Sequence, residues 1–527
     1  MRQFRVLEIP AILFIFFVVA NRSFAIEDIS FDDETSYLFR GLGSSGGNWP
    51  GFTDGATYSD MYWVISLFIS DPVNIYFVGK AMSSVLLVFG TWIAARLLVN
   101  RYLAWALTAA VAVTPVVFVW PGVAGPATGL MLVGLALSLR YRCLGSMALT
   151  TSLYWVAAGS RPEFAWVAFI LSIVTLTVTL KILFTAATPI FFKVRNTVIG
   201  LSGAVFTPVT LIMVHGSPFA SNGRDWLAFA QHYSLRHFMT GENPWLQADA
   251  IVQRSFPTAT GVTQAMAENS FAFSSHMFAN MLYAPRGFVS NLVGEQESIF
   301  SSGLVSLLVF VALIISTGLV FAVNRSYSIE WLKKNLSKTQ IIKRYWFFLV
   351  FFLSFTALLL PVVIVYPRLH YLVFPVPVFV IGLGIFIDRC NQRIRINNPL
   401  FAILMILFLA WTIQTSLLTV NRLSQPPTMA ASATEMFKQG KEWRMLGVEW
   451  GFEVYVPGLE KIDPELPATQ ESITAYLERL KINAVLITAG LKSSNFAKII
   501  GFENFIEEPG KFGFQPIVNG SPIFTRT

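Results

Sequence analysis

Apolar runs recur along this chain at a length that matches the hydrocarbon thickness of a bilayer. Ile75–Ala95, Phe164–Leu180, Leu304–Val323, Trp346–Val365 and Leu400–Val420 carry few charges. Each holds about 17–22 residues, enough for a helix to cross about 30 Å. The runs are continuous rather than alternating, which excludes a transmembrane β-barrel. Composition agrees: 54% of residues are hydrophobic and only 13% charged, against about 25% charged in soluble proteins. The expected fold class is a polytopic α-helical membrane protein with about eleven transmembrane helices.

Basic residues orient the crossings. Arg2 and Arg5 precede Leu7–Ala20, so the N-terminus is expected in the cytoplasm. Ser23-Phe24-Ala25 also fits a signal-peptidase site; with or without cleavage, the residues that follow emerge outside. Tyr58–Ser70 is too short to cross and reads as a surface helix. Leu103–Val119, Gly125–Leu139, Leu144–Ala158, Val198–Val214 and Tyr371–Ile387 complete the crossings, with Ile182–Phe192, interrupted by Pro189, along the inner surface. On this alternation Arg96, Arg101, Arg140, Arg142, Lys181, Lys193, Arg195, Lys333, Lys334, Arg389 and Arg393 all fall inside. The net charge of +8 is therefore a topology signal and gives no reason to expect nucleic acid. Cys143 and Cys390 both lie beside basic loops, which argues against a disulfide, and no CxxC or Cys/His metal spacing occurs.

The expected domains are a membrane domain over 1–420 and a C-terminal periplasmic α/β domain over 421–527. The first includes an outer loop at 21–74 and a large outer loop at 216–302, whose Trp, Phe and Tyr residues suggest short helices over a site. In the second, Glu471–Leu480 and Ser493–Ile500 read as helices. Asn483–Thr488, Phe514–Val518 and Pro522–Thr525 read as strands.

Chemistry concentrates where charge opposes topology. Asp32, Asp33 and Glu34 follow the first apolar helix on the outer side; a solvated acidic loop is the plain alternative. Among the short outer turns, only two carry a basic residue, Arg161 and Arg368. A cation there works against the positive-inside bias, and guanidinium suits a phosphate or diphosphate in bidentate geometry. Lys80 lies one turn into the next crossing and is a third candidate, with His370 beside Arg368. The competing reading pairs Arg161 with Glu163 or lipid head groups and lets Arg368 and Lys80 snorkel. A carboxylate taking a proton from an acceptor hydroxyl, with cations on a departing phosphate, suits transfer from a lipid phosphate. No metal is required, although Asp32 and Asp33 together offer oxygen ligands for a divalent cation.

These features, in order, resemble the GT-C superfamily of membrane glycosyltransferases. Asp33-Glu34-Thr35-Ser36-Tyr37 matches the Asp-Glu-x-x-Tyr motif of protein O-mannosyltransferases and lipid A aminoarabinose transferases. Asp32-Asp33, Gly41–Gly47 and Gly51-Phe52-Thr53 are similar to the pattern of arabinofuranosyltransferase-like members. Ser160-Arg161-Pro162-Glu163 and Pro367-Arg368-Leu369-His370-Tyr371-Leu372 echo two further elements. The resemblance implies a polyprenyl-phosphate-sugar donor and inverting transfer in a bacterial inner membrane. The acceptor would be an envelope glycan, lipid or protein. Asp33 would be the general base, with Asp32 the other candidate, and Glu34, Tyr37 and Glu163 would support the site. Arg161 and Arg368 would lie near the donor phosphate, with Lys80 and His370 the further candidates that the charge pattern offers. Two other classes compete: a lipid-linked-sugar flippase, expected to show an internal repeat and midplane charges, and an inactive scaffold.

Overall fold

The computed structural model describes residues 3–293, 338–394 and 428–526, apart from 27, 32, 120, 142, 186–188, 221–222, 241, 246 and 466–470. Asp32, Arg142 and the expected crossings Leu304–Val323 and Leu400–Val420 lie outside the described residues. The chain is mostly helical and divides into two units interleaved in sequence. The first takes 1–20, 50–58 and 82–419, and the second takes 21–49, 59–81 and 420–527.

Among the described residues, five helical stretches are long and apolar enough to cross a membrane: Pro72–Leu98, Pro162–Phe184, Ile190–His215, Tyr345–Ile364 and Leu369–Asp388. They make this an integral membrane protein. Phe184 is 78% exposed and Met213 81% exposed, as expected of side chains that meet lipid tails rather than water.

Lipid supplies no hydrophobic force between helices, so the first unit packs through small residues and hydrogen bonds. A Cβ at Gly90 would strike the Gly129 backbone, and one at Gly125 would lie 2.6 Å from Ser83 Oγ. The helices Pro72–Leu98 and Ala124–Arg140 therefore touch backbone to backbone. Trp155 Nε1 donates to Ser172 Oγ at 2.8 Å, and Thr150 Oγ1 to the Gly134 carbonyl at 3.1 Å. Tyr154 and Ser354 hydroxyls meet at 2.5 Å. Each satisfies a polar group that lipid could not.

In the second unit, five short strands form one sheet: β1 Arg444–Leu446, β2 Glu460–Ile462, β3 Ala484–Leu486, β4 Phe514–Pro516 and β5 Ile523–Arg526. Their order is β2-β1-β3-β5-β4. β1 pairs in parallel with β2 and β3, while β5 runs antiparallel to β3 and β4. All three residues of β3 are buried, and Leu446, Tyr476, Leu477, Phe496, Phe502, Phe505 and Phe514 join Val485 in the core.

Two local expectations are corrected. Residues 493–500 do not form one helix. Thr488 caps a short helix, Ala489–Ser493, by accepting from the Leu491 N–H, and Ser494 then turns extended (φ −73°, ψ 161°) before a 3₁₀ turn, Asn495–Lys498. Ile190–Phe192 is likewise no separate surface segment. Pro189 sits before the first turn of helix Ile190–Leu201, where its missing N–H costs nothing. That helix runs through a π-turn at Ser202–Phe206 into Thr207–His215.

Candidate functional site

In the second unit, Asp33 opens the helix Asp33–Gly43 and Glu34 follows in its first turn, where the helix dipole favours negative charge. The two carboxylates differ sharply. Asp33 is half-buried, whereas Glu34 is fully buried and accepts a hydrogen bond from the Tyr62 hydroxyl at 2.6 Å. Two glycines make the slot for Tyr62. A Cβ at Gly41 would lie 2.7 Å from Tyr62 Cβ, and one at Gly79 would overlap the Tyr62 ring. Glu34 is thus fixed by the fold, and Asp33 is the more accessible acid.

The turn before this helix is tied down from far along the chain. The Tyr455 hydroxyl donates to the Ser30 carbonyl at 2.9 Å and lies 3.0 Å from Thr35 Oγ1. Burial pushes that phenol well above its ordinary range, so it stays protonated. Asp28 accepts backbone N–H groups of Met429 and Ala430 at 2.7 and 2.8 Å, capping the helix Thr428–Gln439. Tyr37 is buried, and Lys80 is buried with its ammonium 5.7 Å from the centre of the Tyr76 ring.

In the first unit, the helix Leu144–Ser160 ends at Arg161, and Pro162 opens a 3₁₀ turn. Arg161 Nε donates to Glu163 Oε1 at 2.6 Å, and Nη2 reaches the same oxygen. Nη1 donates to the His370 carbonyl at 3.3 Å, and the guanidinium stacks 4.8 Å over the Tyr371 ring. The segment 50–58 packs beside this turn. Thr57 Oγ1 meets Ser160 Oγ at 2.8 Å, Phe52 meets Trp155 edge to face, and a side chain at Gly159 would occupy the place of Thr57.

Arg368 lies two residues before His370. Its Nε donates to His232 Nε2 at 2.6 Å, and its guanidinium lies 5.8 Å from the Trp245 ring. Since Nε2 accepts, Nδ1 carries the proton and donates to the Ala228 carbonyl at 2.6 Å. His232 comes from the segment 216–302, which contains the helices Arg224–His237, Ala248–Gln253, Val262–Glu268 and Ser270–Val293. Phe229, Tyr233, Val252, Phe256 and Phe273 form its core. Arg236 lies between the rings of Tyr283 and Tyr366, 5.1 and 5.4 Å from their centres. His370 itself is buried against the Tyr371 ring, and its contact with Arg161 is through the backbone.

Burial, reinforced by Arg368, lowers His232 to about 4; burial also lowers His276 to about 4. Both are neutral near pH 7. A partly unfolded state takes up protons near pH 6.5, while the packed state refuses them until about pH 4. Stability is therefore fully present above pH 6.5 and falls as pH drops through that window. Hydrogen-exchange protection across 224–293 is expected to fall by about 5 kcal/mol between pH 7 and pH 4.5, half of it from each histidine. Replacing both histidines with Gln should flatten the dependence, and a double variant as pH-sensitive as wild type would refute this assignment.

The structure brings Arg161, Glu163, Arg368 and His370 together in one unit, and Asp33, Glu34, Tyr37 and Lys80 belong to the other. Sequence reasoning assigned no role to Asp28, Tyr62, Tyr455 or Trp245 and no partner to His232. Among the described residues, no group of three or more His, Cys, Asp or Glu is gathered closely enough to hold a metal.

No protein-family model and no curated protein sequence matches the chain. Among solved structures, it is similar to the archaeal oligosaccharyltransferase AglB from Archaeoglobus fulgidus in complex with an inhibitory peptide and a dolichol-phosphate. That match has TM-score 0.41 and 11% identity and covers 93% of this chain and 71% of that one. ArnT from Cupriavidus metallidurans bound to undecaprenyl phosphate matches with TM-score 0.38 and 13% identity, over 100% of this chain and 98% of that one.

Proposed function

We propose that this protein is an inverting glycosyltransferase of the GT-C type. In this reading it moves a sugar from a polyprenyl-phosphate carrier to an acceptor hydroxyl at the outer face of a bacterial inner membrane. One observation carries the reading most strongly. Arg161, one of the two arginines that oppose the topological charge bias, bonds the carbonyl of His370 in the turn that carries the other, Arg368, two residues earlier. One guanidinium over Tyr371 and one beside Trp245 suit a phosphate that gains charge as it leaves.

The acceptor oxygen attacks the anomeric carbon from the face opposite the phosphate. The bond from that carbon to the phosphate oxygen breaks, and its electron pair leaves with the lipid phosphate. Asp33 takes the acceptor proton. Glu34, held by Tyr62, fixes the helix end that carries Asp33. In this reading the N-terminus is cytoplasmic and the sheet of residues 444–526 lies in the periplasm.

The test is turnover. Detergent-purified protein is incubated with a membrane lipid extract containing polyprenyl-phosphate pentoses and hexoses, together with envelope glycan. Release of free polyprenyl phosphate that depends on the glycan is expected. Transport of lipid-linked sugar across vesicles without release would instead make the chain a flippase. Neither release nor transport would leave the scaffold reading.

A further inference from the structure

The parallel part of the sheet has a switch in chain direction. After β1 the chain goes to β2 on one side and then crosses to β3 on the other. The loop leaving the carboxyl end of β1, residues 447–451, and the turn from β3 into the helix Ala489–Ser493 flank that point. Open sheets with parallel strands commonly bind ligands in such a crevice.

Glu449 stands there with Oε2 buried and no hydrogen-bond partner for that atom among the described residues. A buried carboxylate oxygen without a donor is costly, which makes it a place where a ligand's O–H groups would be gained. Gly490 keeps the facing wall back: a Cβ there would lie 2.9 Å from Glu449 Oε1 and 2.9 Å from Val448 Cγ2. Beside the carboxylate, Trp450 is 44% exposed and Phe39 is 55% exposed. Their rings meet edge to face at 6.2 Å, leaving apolar area at the surface.

The loop is pinned to the acidic motif. Gly451 has φ +110°, and a Cβ there would lie 2.8 Å from Thr35 Cγ2 and 3.2 Å from the Phe31 carbonyl. Phe452 also packs against Phe31. Glu449 and Trp450 thus lead directly onto the helix that begins at Asp33, within the same unit.

We propose that Glu449, Trp450 and Phe39 form a saccharide-binding subsite that holds a neutral sugar residue of the acceptor. Aromatic faces take the C–H faces of a sugar ring, and a carboxylate accepts its hydroxyls. Glu453, four residues on, accepts the Gly451 N–H at 3.0 Å and adds a second carboxylate to this loop, so an acidic sugar is repelled. The subsite rests on the transferase reading for its role as acceptor site, but not for binding itself.

The experiment separates the two. Binding of neutral gluco-, manno- and arabino-oligosaccharides to the full-length protein in detergent is followed by saturation-transfer NMR, without donor. Wild type is expected to bind at least one series, with Glu449→Gln and Trp450→Ala each weakening it about tenfold and Trp450→Phe restoring part of it. Glu449→Gln keeps the side chain's shape, so it guards against a mere folding defect. Equal binding by wild type, Glu449→Gln and Trp450→Ala, or no binding by wild type, overturns the subsite. Weakened binding in the variants, with no polyprenyl phosphate release by wild type, keeps the subsite and rejects the transferase.

Discussion

Asp33→Asn is expected to lower transfer by about 10²–10⁴-fold, the usual contribution of a positioned general base, while leaving expression and folding intact. The substitution keeps the size of the side chain at the first position of the helix Asp33–Gly43. What it removes is the capacity to take a proton. Glu34 cannot replace it, since that carboxylate is fully buried and already accepts the Tyr62 hydroxyl at 2.6 Å. Steady-state turnover, measured beside a thermal unfolding midpoint, decides the matter. Retained turnover removes Asp33 from the mechanism, and Asp32→Asn, assayed in parallel, then tests the other candidate.

The parts of this molecule that could be read from sequence are those set by local periodicity. The apolar run Phe164–Leu180 lies within the helical stretch Pro162–Phe184, and β3 is visible as a short buried apolar strand. β1 and β2 were not anticipated, because Arg444–Leu446 and Glu460–Ile462 are three residues each and too short to alternate. Long-range partners were also invisible. Tyr62 lies 28 residues from Glu34, His232 lies 136 from Arg368, and Asp28 caps a helix about 400 residues away. No spacing rule joins such pairs; only the folded backbone does. Arg161 and Glu163 are the intermediate case. Their proximity in sequence offered pairing as one alternative and anion binding as the other.

Arg161→Ala separates those alternatives, because it acts on two quantities at once. The guanidinium is nearly buried, and Glu163 is only about one-fifth exposed. Truncating Arg161 leaves a carboxylate that has lost two donors, together with the contacts to the His370 carbonyl and the Tyr371 ring. Breaking such a pair from one side is expected to cost about 3 kcal/mol of stability. Loss of a cation from a departing phosphate is expected to lower transfer by about 10²–10³-fold. The paired variant Arg161→Met with Glu163→Gln distinguishes the causes. It removes both charges and keeps the volume, so most of the stability should return. If Arg161 serves only the fold, transfer returns with stability. If Glu163 holds the guanidinium in place for a phosphate, stability returns and transfer does not. The second result is expected on the transferase reading, in which Glu163, accepting from Nε and Nη2, fixes the plane of the guanidinium.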